Sequence, residues 1–396
     1  MPVLEIGEAY IKRRGDKSRL CCDVAWADRS RTLWFEVEHQ YEESLCTERT
    51  DGFLVGLLPF AMINGLNIHS QGYVSERLLY QLKILLLPSL SNNITEYHSI
   101  DIDAKGDGKV LKSQDGVGTA LSCGVDSFYT VLKHMNTGME GFDLTHLTYF
   151  NIMNHPLWKI YGEDSSRDFS KARIDCIKAA ADELSLKLVT VDSNFDLFYH
   201  DYELLSSSTF RYLGTVLALQ KLFKTYYWSS SYTFGEFDFS TDDITLFDLL
   251  SVQCLSNEST TFYSTGAEAT RLEKVAYISE FPVTYKYLNV CWIHLHNCTS
   301  GCEKCRRTML ALYALGKLNF YNEVFNLKYF FDNINRYLGN MLLNRFVEKH
   351  HSYYDEIYAC FTKRGIRIPS GAKMYAMKLV WSAIKERVKE AIKSLA

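Results

Sequence analysis

The chain has 396 residues and a formal net charge of −4, from 43 Lys and Arg residues and 47 Asp and Glu residues. This balance provides no broad basic field, so we expect no wholesale binding to a nucleic-acid backbone. Hydrophobic residues make up 47% and charged residues 23% of the chain, a composition that excludes a largely disordered protein.

The first residues and the apolar runs bear on localisation. The N-terminal stretch MPVLEIGEAYIKRRGDK lacks the continuous apolar core of a signal peptide. The longest apolar run, FLVGLLPFAMI, is interrupted by Gly and Pro and is too short to span a bilayer. We therefore expect a cytoplasmic protein without membrane association, whose oligomeric state the sequence leaves open.

Residues 1–115 have mixed strand and helix patterns. GFLVGLLPFAMING has a helical period, and the polar segment KGDGKVLKSQDG has the Gly and Asp content of a linker. Three other segments have strand-like composition or alternation: LCCDVAW, TLWFEVEH and YHSIDIDA. The pattern predicts a separate α+β domain over residues 1–115, for which we expect a role in binding a substrate or a partner protein.

Strands and helices alternate from Val117 onward. The segments VGTALS, LTHLTYFN and KLVTVDS are predicted strands, separated by helices over residues 126–135 and in SRDFSKARIDCIKAAADELS. A further helix, FRYLGTVLALQKLF, precedes the strand-like YYWSSS. This order predicts an α/β domain over residues 116–316, built on a doubly wound parallel sheet.

The last region, residues 317–396, is rich in apolar and aromatic residues at spacings of three and four. It ends in KMYAMKLVWSAIKERVKEAIKSLA, whose period is that of an amphipathic helix. We predict a helical C-terminal region.

The stretch from Leu121 to Ser127 has the composition of an anion-binding turn between a strand and a helix. Backbone N–H groups at a helix N-terminus bind anions, and Gly124 allows a close backbone approach. Ser122 and Ser127 offer hydroxyl donors, while Asp126 can cap the helix or face a phosphate through Mg²⁺. These features predict a polyphosphate site; the alternative is an ordinary strand–turn–helix with an Asp cap.

Four of the eleven cysteines crowd together as Cys291, Cys298, Cys302 and Cys305. Four thiolates at such spacing predict a closed tetrahedral Zn²⁺ site with a structural role. The alternatives are a redox pair, an iron–sulfur cluster or unconnected core cysteines. His294 and His296 are nearby substitute ligands, and Arg306 and Arg307 would offset the thiolate charge.

The turn resembles the S-G-G-x-D-S loop of the PP-loop ATP pyrophosphatases. Cys123 stands where that family usually has its first glycine. The resemblance implies that ATP binds to one run of residues: Ser122, Cys123, Gly124, Val125, Asp126 and Ser127.

Together, the loop and the cysteine cluster resemble 7-cyano-7-deazaguanine synthase and its relatives over residues 117–316. GAEATRLEKVAYI and CEKCRRTMLAL are similar to stretches of that group. The resemblance implies a PP-loop (HUP-like) sheet, a structural zinc knuckle, and ATP with Mg²⁺ used to adenylate a carboxylate of a deazaguanine. Ammonia then yields the amide and finally the nitrile.

Two departures from that group stand out. CTSGC replaces a tighter C-G-x-C, and about 115 residues precede the loop while some 80 follow the knuckle. The longer ends imply a changed acceptor carboxylate, on a deazapurine-like small molecule or on a protein. Longer relatives of this kind occur in bacterial antiviral defence systems.

The candidate catalytic residues are Asp126, Ser127, Arg271 and Lys274. Asp126 would hold Mg²⁺ or shape the loop, and Arg271 and Lys274, three apart on a helix, would neutralise phosphate charge. The alternative for these two cations is a solvated face paired with Glu268 and Glu273.

Other positions are expected to line the crevice at the strand ends: residues 149–154, His155, Asp192 and Ser193. Two other functional classes stay open. One is a nucleotide-binding or partner-binding module without chemistry, and the other is a tRNA-modifying PP-loop enzyme that uses cysteines for sulfur transfer.

Overall fold

The computed structural model describes residues 2–152, 163–200, 207–238, 243–298, 302–345 and 352–395. The chain divides into two compact units. The first consists of Met1–Ser122 and Asp126–Glu268, and the second of Cys123–Val125 and Ala269–Ala396.

Within the described residues, the first unit contains one eleven-stranded sheet. Its strands are β1 Val3–Ile6, β2 Tyr10–Arg14, β3 Lys17–Trp26, β4 Arg29–Glu38, β5 Asn67–Ser75, β6 Ile102–Asp107, β7 Gly116–Ala120, β8 His146–Asn151, β9 Lys187–Ser193, β10 Phe223–Ser229 and β11 Thr261–Thr265. The order across the sheet is β11-β10-β7-β8-β9-β4-β3-β1-β5-β6, and β2 pairs with β3.

The helices that precede residue 269 connect or cover these strands. They are α1 Asp51–Ile63, α2 Glu76–Tyr80, α3 Leu87–Asn93, α4 Val125–His134, α5 Glu163–Glu183, α6 Asp196–Tyr199, α7 Ser208–Ala218 and α8 Asp248–Cys254. A π-helix at Gln81–Leu86 joins α2 to α3. The protein is therefore an α/β protein with a mostly parallel sheet, as the alternation of strand and helix patterns predicts.

Strands β7 to β11 form one parallel part of the sheet, and β1, β5 and β6 form another. The chain places β8 and then β9 on one side of β7, and then returns to place β10 and β11 on its other side. β7 is a central strand with a neighbour on each edge, and four of its five residues are buried. The reversal of strand order lies between β7 and β10.

The strands before residue 116 continue this sheet. β4 pairs antiparallel with β9, with Phe35 opposite Ser193 and Glu36 opposite Asp192. The predicted boundary after residue 115 thus falls inside one continuous sheet, and the compact units divide the chain elsewhere. A separate function for residues 1–115 stays a prediction.

Helix α1 lies in the core of the first unit. Twelve of its residues are buried, which explains why its sequence is apolar on every side. It crosses α7 at two facing glycines: a Cβ on Gly52 would lie 2.7 Å from the carbonyl oxygen of Gly214. Aromatic rings of Phe35, Phe53 and Phe195 fill the adjacent space.

The described part of the second unit is helical. Its helices are α9 Arg271–Ile278, α10 Pro282–Tyr287, α11 Glu303–Leu315, α12 Leu327–Asp332, α13 Ile334–Leu343, α14 Ser352–Lys363 and α15 Ser370–Leu395. The helical prediction for the C-terminal region agrees with this. Among the described helices, none combines the length and apolar character needed to cross a membrane.

Candidate functional site

The predicted phosphate turn is a short connection between β7 and α4. The backbone N–H of Leu121 donates to the carbonyl oxygen of Thr148 at 2.9 Å, so the chain stays beside β8 one residue beyond the end of β7. Helix α4 begins at Val125. The turn therefore lies at the carboxyl end of a central parallel strand, where the strand order reverses.

Ser122 and Ser127 come together across this turn. Their hydroxyl oxygens lie 3.1 Å apart, and the Ser122 N–H donates to the Ser127 hydroxyl at 3.3 Å. Ser127 is buried whereas Ser122 is exposed. Asp126 is half-buried in the first turn of α4, where a carboxylate interacts favourably with the positive end of the helix dipole.

Cys123 has a left-handed backbone, with φ of 61°. Its side chain is buried, and its carbonyl oxygen accepts a hydrogen bond from the Asn289 N–H at 2.8 Å. Glycine adopts this conformation without steric cost, while other L-residues pay about 1 kcal/mol or more. The position where the sequence departs from the S-G-G-x-D-S pattern is thus one whose backbone suits glycine.

We expect Cys123→Gly to be tolerated better than Cys123→Val. Valine is close to cysteine in size, but its branched Cβ conflicts with a positive φ at a cost of about 1–3 kcal/mol. Denaturant-induced unfolding of both variants measures the difference. Equal stability of the two variants would show that the turn does not need the left-handed backbone.

The structure places one cation near the turn, Arg173, that the sequence did not predict. The guanidinium Nη2 of Arg173, on α5, lies 3.4 Å from the carbonyl oxygen of Ser122. A single arginine within a crossover helix has no motif around it. Only the return of α5 over the sheet places it beside the turn.

Three serine hydroxyls near the carboxyl ends of the parallel strands are buried without a hydrogen-bond partner in the described structure. They belong to Ser193, Ser229 and Ser264, on β9, β10 and β11. The register pairs Tyr227 with Thr119, so Ser229 lies level with Leu121 at the start of the turn. Buried hydroxyls usually have a partner, and a bound ligand is one way to supply it.

Asp192, expected at this edge, accepts a hydrogen bond from the Asn151 side-chain amide at 2.7 Å. The pair joins the ends of β9 and β8. The predicted crevice positions Asn154 and His155 lie outside the described residues, as do residues 299–301 of the CTSGC segment.

Arg271 and Lys274 both lie on α9. The helix starts with a capping box, in which the Glu273 carboxylate accepts the Thr270 N–H at 2.8 Å. Lys274 is only 1% exposed, so it does not belong to a solvated face. The carboxylate of Glu268 instead accepts the Tyr129 hydroxyl at 2.9 Å in the first unit.

The Arg271 guanidinium lies near an aromatic ring in the second unit. It is 5.6 Å from the ring centre of Tyr353 on α14, and the guanidinium of Arg307 is 4.6 Å from the same ring. Thr308 and Ile357 help to line the small hollow around these groups. The sequence did not predict this pairing of two arginines on one tyrosine.

The four predicted metal ligands form one cluster. The Sγ atoms of Cys291, Cys298, Cys302 and Cys305 all lie within 4.8 Å of one another, and those of Cys291 and Cys302 are 3.9 Å apart. A zinc ion with Zn–S bonds of about 2.3 Å places its sulfurs about 3.8 Å apart. The cluster could therefore bind a metal ion such as zinc, and the histidines at 294 and 296 are exposed outside it.

Backbone and amide groups hold these thiols in position. The N–H of His294 donates to the Cys291 sulfur at 3.3 Å, and the N–H of Cys302 donates to the Cys298 sulfur at 3.2 Å. The Asn297 side chain accepts the Val290 N–H at 2.8 Å and donates to two backbone carbonyl oxygens. The N–H donors to sulfur stabilise the thiolate form, and the bonds of Asn297 hold the surrounding backbone that positions the ligands.

The thiols differ in how readily they ionise. A hydrogen bond from the Cys305 thiol lowers the pKa of the Cys302 thiol to about 5, and the same bond raises the pKa of the Cys305 thiol. Cys302 lies at the N-terminus of α11, and Cys305 in its first turn. The Arg306 guanidinium contacts the Tyr354 hydroxyl on α14, and the Arg307 guanidinium forms an ion pair with Glu303, one turn earlier on α11.

Comparison with protein-family models, with curated proteins and with solved structures finds no match for this chain.

Proposed function

We propose that the protein is an ATP-dependent, AMP- and pyrophosphate-forming enzyme that adenylates an acceptor carboxylate, in the manner of 7-cyano-7-deazaguanine synthase. The observation that carries this proposal is the position of the Ser122–Ser127 turn. It follows the central strand β7, beside the reversal of strand order between β7 and β10. In open parallel sheets, ligands bind at the carboxyl ends of strands next to such a reversal.

The chemistry of the turn supports a phosphate ligand. A helix N-terminus, two neighbouring hydroxyls and the Arg173 guanidinium combine hydrogen-bond donors with positive potential. The unpartnered hydroxyl of Ser229, which lies level with Leu121, provides a further donor at the same edge of the sheet.

In the proposed reaction, a carboxylate oxygen of the acceptor bonds to the α-phosphorus of ATP. The bond from the α-phosphorus to the bridging oxygen breaks, and pyrophosphate leaves with that oxygen. The product is a mixed anhydride, which an amine or ammonia then attacks to give an amide and AMP. Charge neutralisation and positioning are the main contributions of the protein.

Named residues have separate roles in this proposal. Backbone N–H groups of the turn, with Ser122 and Ser127, bind the leaving pyrophosphate. Asp126 would hold Mg²⁺, which neutralises phosphate charge when bound. For Arg271 and Lys274, neutralisation of phosphate charge stays a prediction from the sequence. The four cysteines would hold structural Zn²⁺, which leaves no open coordination position for catalysis.

The first test is ATP turnover by the purified protein. With ATP, Mg²⁺, ammonia and a panel of carboxylates that includes a deazaguanine carboxylate, we expect AMP and pyrophosphate in equal amounts. Asp126→Ala should lower that rate by at least about 100-fold, because charge at the phosphates is no longer neutralised. Quantifying AMP and pyrophosphate by chromatography measures both results.

Asp182→Ala is the matched control, since Asp182 is an exposed aspartate on α5. It should leave turnover unchanged. Tight ATP binding without AMP formation would instead favour a nucleotide-binding module. Failure to bind ATP at all would overturn the proposal.

A further inference from the structure

Helix α15 leaves an apolar stripe exposed. Met374, Met377, Trp381 and Ile384 are 65%, 60%, 66% and 53% exposed. Their spacings of three, four and three residues place them on one face of the helix. Large apolar side chains that recur in this way differ from the isolated exposed hydrophobic residues that are normal on any surface.

The opposite face of α15 holds the helix against the second unit. Ala372 is fully buried, and a Cβ added to Gly339 on α13 would lie 2.9 Å from the Ala372 carbonyl oxygen and 2.8 Å from the Tyr375 ring. Because α13 and α15 approach closely at this glycine, the face of α15 that contains Ala372 and Tyr375 packs against α13. The apolar stripe lies on the other face of α15 and is therefore exposed.

The sequence repeats this spacing beyond Ile384. Val388, Ala391 and Leu395 follow it at spacings of four, three and four, so an apolar residue stands at every a and d position of three heptads that start at Met374. Apolar residues at a and d with lysine at the e positions Lys378 and Lys385 are the pattern of a coiled-coil seam, whereas helices that lie in a membrane surface have a broader apolar face.

Basic residues flank this seam. Between residues 370 and 385 the helix contains Lys373, Lys378 and Lys385 and no acidic residue. With Met374 at position a, Lys378 and Lys385 occupy e positions and Lys373 a g position. The Lys385 ammonium lies 5.4 Å from the ring centre of Trp381, so one of these cations borders the apolar stripe directly.

The lysines at these positions determine which kind of helix can pair with the seam. In a parallel pair of two copies, Lys373 of one chain would face Lys378 of the other, and an antiparallel pair would bring e-position lysines together. Like charges at e and g disfavour both pairings, and acidic residues there favour them. We propose that α15 docks an amphipathic helix of a partner protein that carries acidic residues beside its own apolar seam.

The test uses full-length protein and two labelled synthetic helices of three heptads. Both have Leu at a and d, one with Glu and the other with Lys at every e and g position. Fluorescence anisotropy should show that the Glu peptide binds at least about tenfold more tightly than the Lys peptide, because three charge pairs change sign. Added salt should reduce the difference, since these charges are exposed.

Substitution of the seam provides the control within the chain. Met377→Glu combined with Trp381→Glu should abolish binding of the Glu peptide, and circular dichroism should confirm that the helix content is unchanged. Val110→Glu, at an apolar residue 74% exposed in the first unit, should leave binding unaffected. Equal affinity for the two peptides would overturn the proposal.

Two other outcomes would also overturn it. Tight binding of phosphatidylserine-containing vesicles without binding of the Glu peptide would assign the stripe to a lipid surface. A rise in mass with protein concentration that the double substitution removes would assign it to a second copy of this chain.

Discussion

Replacing Arg49 with leucine is expected to lower the free energy of unfolding by about 3–5 kcal/mol, because it leaves two carboxylates without their buried counter-charge. The Arg49 side chain is fully buried, 3.0 Å from the Asp107 carboxylate and 3.2 Å from that of Glu258. It also donates to the carbonyl oxygen of Lys109. Denaturant-induced unfolding monitored by tryptophan fluorescence measures the change.

Arg13→Leu is the matched control. Arg13 also forms an ion pair, with Glu42, but its side chain is 70% exposed. Exposed ion pairs contribute about 1 kcal/mol or less, so this variant should stay within that range of the original protein. A loss of similar size in both variants would show that burial of Arg49 is not what makes its ion pairs important.

The position of Arg49 explains why its loss should be global. It joins the end of β6, through Asp107, to the segment before β11, through Glu258. Glu258 also accepts the backbone N–H of Arg77 at the start of α2 at 2.8 Å. The arginine thus connects β6 to the segment before β11, the two strands at opposite ends of the sheet order in the first unit.

Replacing Cys305 with serine is expected to remove most of the bound zinc and to destabilise the second unit. Structural zinc sites contribute apparent free energies of about 10–16 kcal/mol in small peptides, so loss of a single thiolate has a large effect. Cys305 is fully buried in the first turn of α11. Elemental analysis of purified protein measures the metal, and thermal unfolding measures the stability.

Cys360→Ser provides the comparison, because Cys360 is a half-buried cysteine on α14 outside the four-thiol cluster. The Cys360→Ser variant should retain about one zinc per chain. Less than about half a zinc in the unmodified protein would contradict the zinc assignment. Iron with visible absorbance would instead favour an iron–sulfur cluster.

Much of the parallel part of the fold was predictable from local patterns. The strand KLVTVDS has in the structure the bounds that its sequence predicts, Lys187–Ser193, since a run of β-branched residues ends at polar ones. The helix predicted over residues 126–135 occupies Val125–His134. Strands β1, β2, β5 and β11 were not predicted. For example, YIKRR is largely exposed and polar, and TFYST is too short for a period to be recognised.

The candidate site was predictable to a similar degree. The turn between β7 and α4 and the four-thiol cluster both depend on residues close together in the chain, and both have the predicted local form. Arg173 was missed because its approach to Ser122 depends on the path of a crossover helix. The same holds for the buried serine hydroxyls, which individually have no sequence signal.

The sequence by itself determined the alternation of strands and helices, the turn at Ser122–Ser127 and the set of four cysteines, because short-range periodicity and spacing encode them. Only the tertiary structure decided that β4 pairs with β9, that Cys123 has a left-handed backbone and that Lys274 is buried. These features depend on contacts between residues far apart in the chain, and local patterns do not specify which distant surface a strand edge or a side chain will meet.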